Sequence, residues 1–227
     1  MLRKSTNAGR RSAVMTGLLL IVGLVTGILS VVPVIDGADY LVKASTNENQ
    51  VLLGAFFQLL MIVSYVGIPI LMYPMLSKHH KGLALGSVAF GIIAGVFIIL
   101  GVILLLLLLT VSHEFAKVGT LHATYFQTLG GLLRGGRDLV NHVATTLAFA
   151  LAMFLFTCVF YQTQLVPRWL SVWGLIGSTM SILASLLFMI RFIGLDATYM
   201  VLNIPIASQQ LVLAIWLMMK GLKPNGL

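Results

Sequence analysis

The chain has 227 residues, 59% of them hydrophobic and 9% charged, with a mean hydropathy of +1.04. So few charges cannot solvate a globule of this size, which excludes a soluble enzyme, and the hydrophobicity excludes a disordered chain. The formal charge of +8 is scattered in short clusters between apolar runs, so it predicts contact with anionic membrane lipids and no nucleic-acid partner, while a single cysteine, Cys158, excludes a disulfide scaffold.

Apolar runs long enough to cross a bilayer fall at about 13–35, 51–76, 83–111, 139–165, 169–193 and 198–219. They predict an all-α fold: a polytopic integral membrane bundle of six transmembrane helices forming one transmembrane domain over residues 1–227. The first run follows Arg3, Lys4, Arg10 and Arg11 and resembles a signal peptide at its start. It is longer than an h-region and lacks a clear small-residue cleavage site, so a retained helix is expected.

Before the second run, Ser45-Thr46-Asn47-Glu48 has capping-box spacing. Gln58, Ser64 and Tyr65 bring polar groups into that run, and Pro69 removes a backbone hydrogen bond where it predicts a kink. His79 and His80 lie in the following short turn between Lys78 and Lys81, where a solvated face is expected. The third run, Gly82 to Val111, is about 45 Å of helix against roughly 30 Å of hydrocarbon and must tilt or project. Its Gly82/Gly86 and Gly91/Gly95 pairs, like Gly23/Gly27 and the row Gly177, Ser181, Ser185, let helices approach closely. Such rows serve packing within the bundle or a homo-oligomer; a chain with many internal interfaces favours the former.

The connection 112–137 is the longest loop. After His113, Glu114 and His122 comes the series Tyr125, Phe126, Leu129, Leu132, Leu133, whose spacing predicts a short amphipathic helix on the membrane interface, loosened by Gly130, Gly131, Gly135 and Gly136. The fourth run opens with Asp138, Asn141, His142 and Thr145, at offsets that place all four on one helical face. Asp138 alone reads as an N-cap. An ionisable residue inside a span, His142, faces the protein interior or a wet cavity. Pro167 suits the first turn of the fifth helix, and the sixth carries Asn203, Pro205, Gln209 and Gln210.

With both termini cytoplasmic, that side holds nine basic residues against five outside, and every acidic residue lies outside. Under that orientation Gln58, Tyr65, Asn141, His142, Thr145, Asn203, Gln209 and Gln210 reach similar depths, and spans two, four and six are expected to enclose a polar pocket open to the outside. HExxH, CxxC, GxSxG and Walker motifs are all missing from the sequence. His113, His122 and His142 with Glu114 or Asp138 offer metal-ligand types, but at no zinc-site spacing, so no metal and no cofactor is expected.

Three stretches carry a family resemblance: Asn47-Glu48-Asn49-Gln50; Leu165-Val166-Pro167-Arg168-Trp169-Leu170 through Val172-Trp173-Gly174-Leu175-Ile176-Gly177; and Gln210 to Leu217 with Lys220-Gly221. In them the chain resembles an uncharacterised prokaryotic membrane family, the domain of unknown function four-three-eight-six. The resemblance covers most of the chain and implies a multi-pass protein of a bacterial or archaeal plasma membrane, with no established activity. The family often has a glutamate where this chain has Gln210, a departure that counts against proton coupling there.

The leading expectation for function is non-enzymatic binding of a small amphiphile or lipid in the outward-open pocket. A small transporter is the alternative, supported by Pro69, Pro205 and the midplane amides but lacking visible repeats. An intramembrane enzyme using His142 as base and Asp138 as orienter comes third and lacks a nucleophile.

Overall fold

A computed structural model describes residues 2–118 and 123–223, with the side chains of residues 2–8 and 118 excepted. Its helices are α1 (Leu2–Leu29), α2 (Tyr40–Thr46), α3 (Glu48–Leu76), α4 (Lys81–Val118), α5 (Ala123–Leu139), α6 (Thr146–Thr163), α7 (Arg168–Met189) and α8 (Ala197–Met219). A 3-10 turn, Pro33–Ile35, precedes α2, and a π-helical turn, Val140–Thr145, joins α5 to α6 without a break. No strand occurs among the described residues.

Six helical segments are long and apolar enough to cross a membrane: α1, α3, α4, the continuous α5–α6 stretch from Ala123 to Thr163, α7 and α8. The outer faces are apolar; Val63, Val96, Ile176 and Val201 are each more than half exposed. In water that pattern would be costly, whereas in hydrocarbon it is the stable arrangement, because a helix bonds its backbone groups internally.

Neighbours in the chain are neighbours in space. Among the crossing helices α1 packs on α3, α3 on α4, α4 on α6, α6 on α7, α7 on α8, and α8 returns to α1, closing a ring. The half of the ring nearer the termini is filled by an apolar core that includes Met72, Phe156, Phe160, Leu170, Leu213 and Leu217, all nearly inaccessible. A smaller cluster at the opposite end, with Ile35, Leu41, Val51, Leu105 and Leu108, seats α2 against α4. Ser112 donates a hydrogen bond to the Leu41 carbonyl there.

The small-residue rows are spent on these internal contacts. A Cβ on Gly91 would stand 2.8 Å from the Tyr65 carbonyl oxygen and from Pro69 Cγ, and one on Gly177 would stand 2.8 Å from the Ile206 backbone. Pro69 and Pro205 therefore lie where a partner helix comes closest, and both helices continue through them. Gly86 faces Leu155 and Gly23 faces Ser64, whereas Gly82 has open space around it.

Three local expectations are corrected. Ser45 and Thr46 do not cap the second span: they end α2, where their hydroxyls bond back to the carbonyls of Val42 and Lys43, and Asn47 donates to Lys43 instead of capping α3. The described residues of segment 112–137 are helical: α4 runs on to Val118, and the amphipathic α5 continues through the π-helical turn into α6, with Phe126 and Leu133 packed on the smaller core. Gly130 does not loosen it; a Cβ there would meet the Tyr40 hydroxyl at 2.8 Å, so the glycine admits α2. Because the helix is continuous, Asp138 lies inside it and caps nothing.

Candidate functional site

Two adjoining, partly open cavities lie among α1, α3, α8 and the α5–α6 stretch, one of them bordering the termini core through Leu20, Ile68, Phe149 and Ile206. The first, about 570 Å³, is the more polar of the two, and Gln58, Arg134, Arg137, Asp138, Asn141 and Thr145 are among the residues that line it. The second, about 520 Å³, is mainly apolar, walled by Leu20, Leu24, Ile68, Phe149, Ile206 and Ala207. Tyr65, His142 and Thr146 of the central helices and Gly27 and Val31 of α1 belong to both. Each volume is in the range of small-molecule sites. The floor between chamber and core is an aromatic stack, Tyr65 on Phe149 with centroids 3.7 Å apart.

The π-helical turn sets the position of His142. A π turn widens the helix by one residue and disturbs the regular hydrogen-bond pattern, and here the His142 carbonyl accepts a hydrogen bond from the Tyr199 hydroxyl at 3.1 Å. The imidazole meets the Tyr199 ring edge-on at 5.3 Å and Phe188 at 6.2 Å. Thr146 Oγ1 donates to the Asn141 carbonyl, five residues back, as the wider turn requires. Asn141 itself fits because α4 offers Gly101 opposite it; a Cβ there would collide with the amide oxygen.

The anticipated residues separate into groups. Gln58, Tyr65, Asn141, His142 and Thr145 line the polar chamber, and Asn203 and Gln210 line the apolar one. Gln209 does neither: it turns to α7 and donates to the Leu170 carbonyl at 3.3 Å. Asn203 borders the cavity but is occupied, accepting from Ser181 at 2.5 Å and donating to the Tyr199 carbonyl at 2.9 Å. Other buried polar atoms on the chamber walls have no hydrogen-bond partner: Gln58 Oε1, Ser64 Oγ, Thr145 Oγ1 and Arg137 Nε. Each such group costs about 1–3 kcal/mol unless water or a ligand meets it.

The proposed His142–Asp138 pair does not form. Among the described residues the carboxylate of Asp138 has Arg137 as its ion-pair partner, at 3.6 Å, and the imidazole packs against aromatic rings. No three metal-ligating side chains converge among the described residues; His113 faces Glu48 at 3.6 Å, and His122 lies outside the described residues.

Three contributors were not anticipated. α1 walls both chambers through Gly27 and Val31, and its Gly23/Gly27 row had suggested only helix packing. Arg134 and Arg137 also enter the polar chamber, because a helical α5 extends the face of Asp138, Asn141 and Thr145 upstream by one turn. Arg134 donates to the carbonyls of Asp36 at 2.5 Å and Gly37 at 3.1 Å, and lies over the Tyr40 ring at 5.3 Å. Partial burial holds the Tyr40 hydroxyl above its ordinary pKa, with the Arg134 charge opposing that shift.

A family model described as a domain of unknown function, DUF4386, matches residues 15–221. No curated protein and no solved structure matches the chain.

Proposed function

The chain thus belongs to the DUF4386 family, whose description assigns no role, and from the cavity we propose that it binds a small amphiphile or lipid without transforming it. The observation that carries this proposal is the coincidence of unpartnered buried polar atoms, Gln58 Oε1, Thr145 Oγ1 and Arg137 Nε, with a polar chamber that leads into an apolar one. A wholly polar solute would leave the apolar chamber empty, and a pure hydrocarbon would leave the polar atoms unmet. The basic residues favour cytoplasmic termini in a prokaryotic plasma membrane, which turns the polar chamber outward.

Thermal unfolding of the purified chain in detergent, with and without total lipid extract, tests the binding. A ligand held only by the native state at a hundredfold excess over Kd adds about 2.7 kcal/mol. Stabilisation of the parent that is lost in His142→Leu and Gln210→Leu is expected; equal stabilisation of all three overturns the proposal. Orientation has its own test. In a Cys158→Ser background, cysteines at Asp39 and Lys117 should react with an impermeant thiol reagent in intact cells, and one at Lys78 should not.

A transporter is the second reading, because Pro69 and Pro205 sit in α3 and α8, two helices that wall the apolar chamber. Uptake of a bound amphiphile into proteoliposomes would select it over simple binding.

A further inference from the structure

Two arginines and two aspartates line the polar chamber, so its formal charges cancel, but they do not pair closely. Arg134 directs its terminal nitrogens to two backbone carbonyls and rests on a tyrosine ring; these neutral partners fix the guanidinium without cancelling its charge. Arg137, one turn further along the same face, is only 7% exposed. Its Nε has no partner, and its contact with Asp138, 3.6 Å from Nη1, is longer than a hydrogen bond and is not the two-pronged contact of a fully engaged carboxylate. Asp36, which also borders the chamber, is exposed to solvent. A buried guanidinium so thinly compensated is costly, and an anion delivered to it removes the cost.

The acceptors narrow the chemistry further. Gln58 Oε1 is 5% exposed as part of its residue and can only accept, so it calls for a donor rather than a second anion. Building on the amphiphile reading above, we infer that the occupant has an anionic headgroup bearing a hydroxyl. Its phosphate or carboxylate lies against Arg137 and Arg134, its hydroxyl donates to Gln58, and its hydrocarbon tail passes Tyr65 into the apolar chamber.

Three probes separate the components: a lysophosphatidylglycerol, a lysophosphatidylcholine with the same acyl chain, and free glycerol phosphate. Apparent affinities come from ligand-dependent unfolding of the full chain in non-ionic detergent. The lysophosphatidylglycerol should bind at least about tenfold more tightly than the choline lipid, and glycerol phosphate should produce no shift at the same concentrations. Arg137→Gln should abolish the preference between the two lipids, and Arg134→Gln should reduce it. If Arg137→Gln does not fold, the preference of the parent and its reduction in Arg134→Gln decide the matter. Equal binding of the two lipids would overturn the anionic headgroup while leaving amphiphile binding intact. Equal protection by glycerol phosphate would overturn the placement of the tail. Failure of both lipids and of total lipid extract to stabilise the parent would instead remove the binding function on which the headgroup assignment stands.

Discussion

Helices α3 and α8 both carry amide side chains into the bundle, and the amides meet different fates. On α8, Asn203 joins Ser181 and the Tyr199 carbonyl, and Gln209 joins the Leu170 carbonyl, so both fasten helix to helix or turn to turn. On α3, Gln58 is buried like Gln209, yet its carbonyl oxygen faces no donor. A polar residue inside a span is therefore uninformative by itself; the presence or absence of its partner distinguishes a fastening from a wall. In hydrocarbon the distinction has measurable consequences, because removing a fastening orphans a second group while removing a wall residue orphans none.

The strongest challenge to the fastened side is Gly177→Val. Its Cβ would stand 2.8 Å from the Cα and N of Ile206, a backbone that cannot yield as a side-chain tip can, and a loss of about 3 kcal/mol in detergent unfolding is expected. Asn203→Leu should cost about 1 kcal/mol by leaving the Ser181 hydroxyl without its acceptor, with the lipid-induced shift in unfolding temperature preserved. On the wall side, Gln58→Leu should change stability by about 0.5 kcal/mol or less while weakening lipid binding. If Gln58→Leu proves as destabilising as Asn203→Leu and leaves binding untouched, the contrast between the two helices collapses. The smallest effect is expected from Gly101→Ala, which displaces the Asn141 amide within the polar chamber. Here affinity should shift by about threefold, roughly 0.6 kcal/mol, with the unfolding temperature nearly unchanged.

The crossing helices were legible because hydrophobic length is a strong signal, and the face of Asn141, His142 and Thr145 was legible because it follows helical spacing. The upstream half of that face was hidden by glycines. Gly130, Gly131, Gly135 and Gly136 suggest loosening, but where α2 packs on Gly130 glycine permits approach, and sequence cannot tell a turn from a tight contact. A loosened connector gives Arg134 and Arg137 no defined face, whereas a helix continuous with the fourth span places them beside Asn141. Gln209 and Gln210 are adjacent and project about 100° apart on a helix, and only the fold shows that Gln209 turns to the Leu170 carbonyl while Gln210 borders the cavity. The wall supplied by α1 had no sequence signal beyond small residues, which mark close packing and cavity margins alike.

The π-helical turn at Val140–Thr145 has a consequence for the phase of the long fourth crossing. One residue beyond the α-helical count offsets α6 by about 100° relative to α5. The offset lets one continuous rod present Phe126 and Leu133 to the α2–α4 cluster near one end and Phe149 to Tyr65 further along. Deleting a single residue within the turn would rephase the two halves. Either the arginines would swing away from the polar chamber or the aromatic floor beneath it would come apart, so this crossing cannot be shortened by one residue without dismantling the cavity.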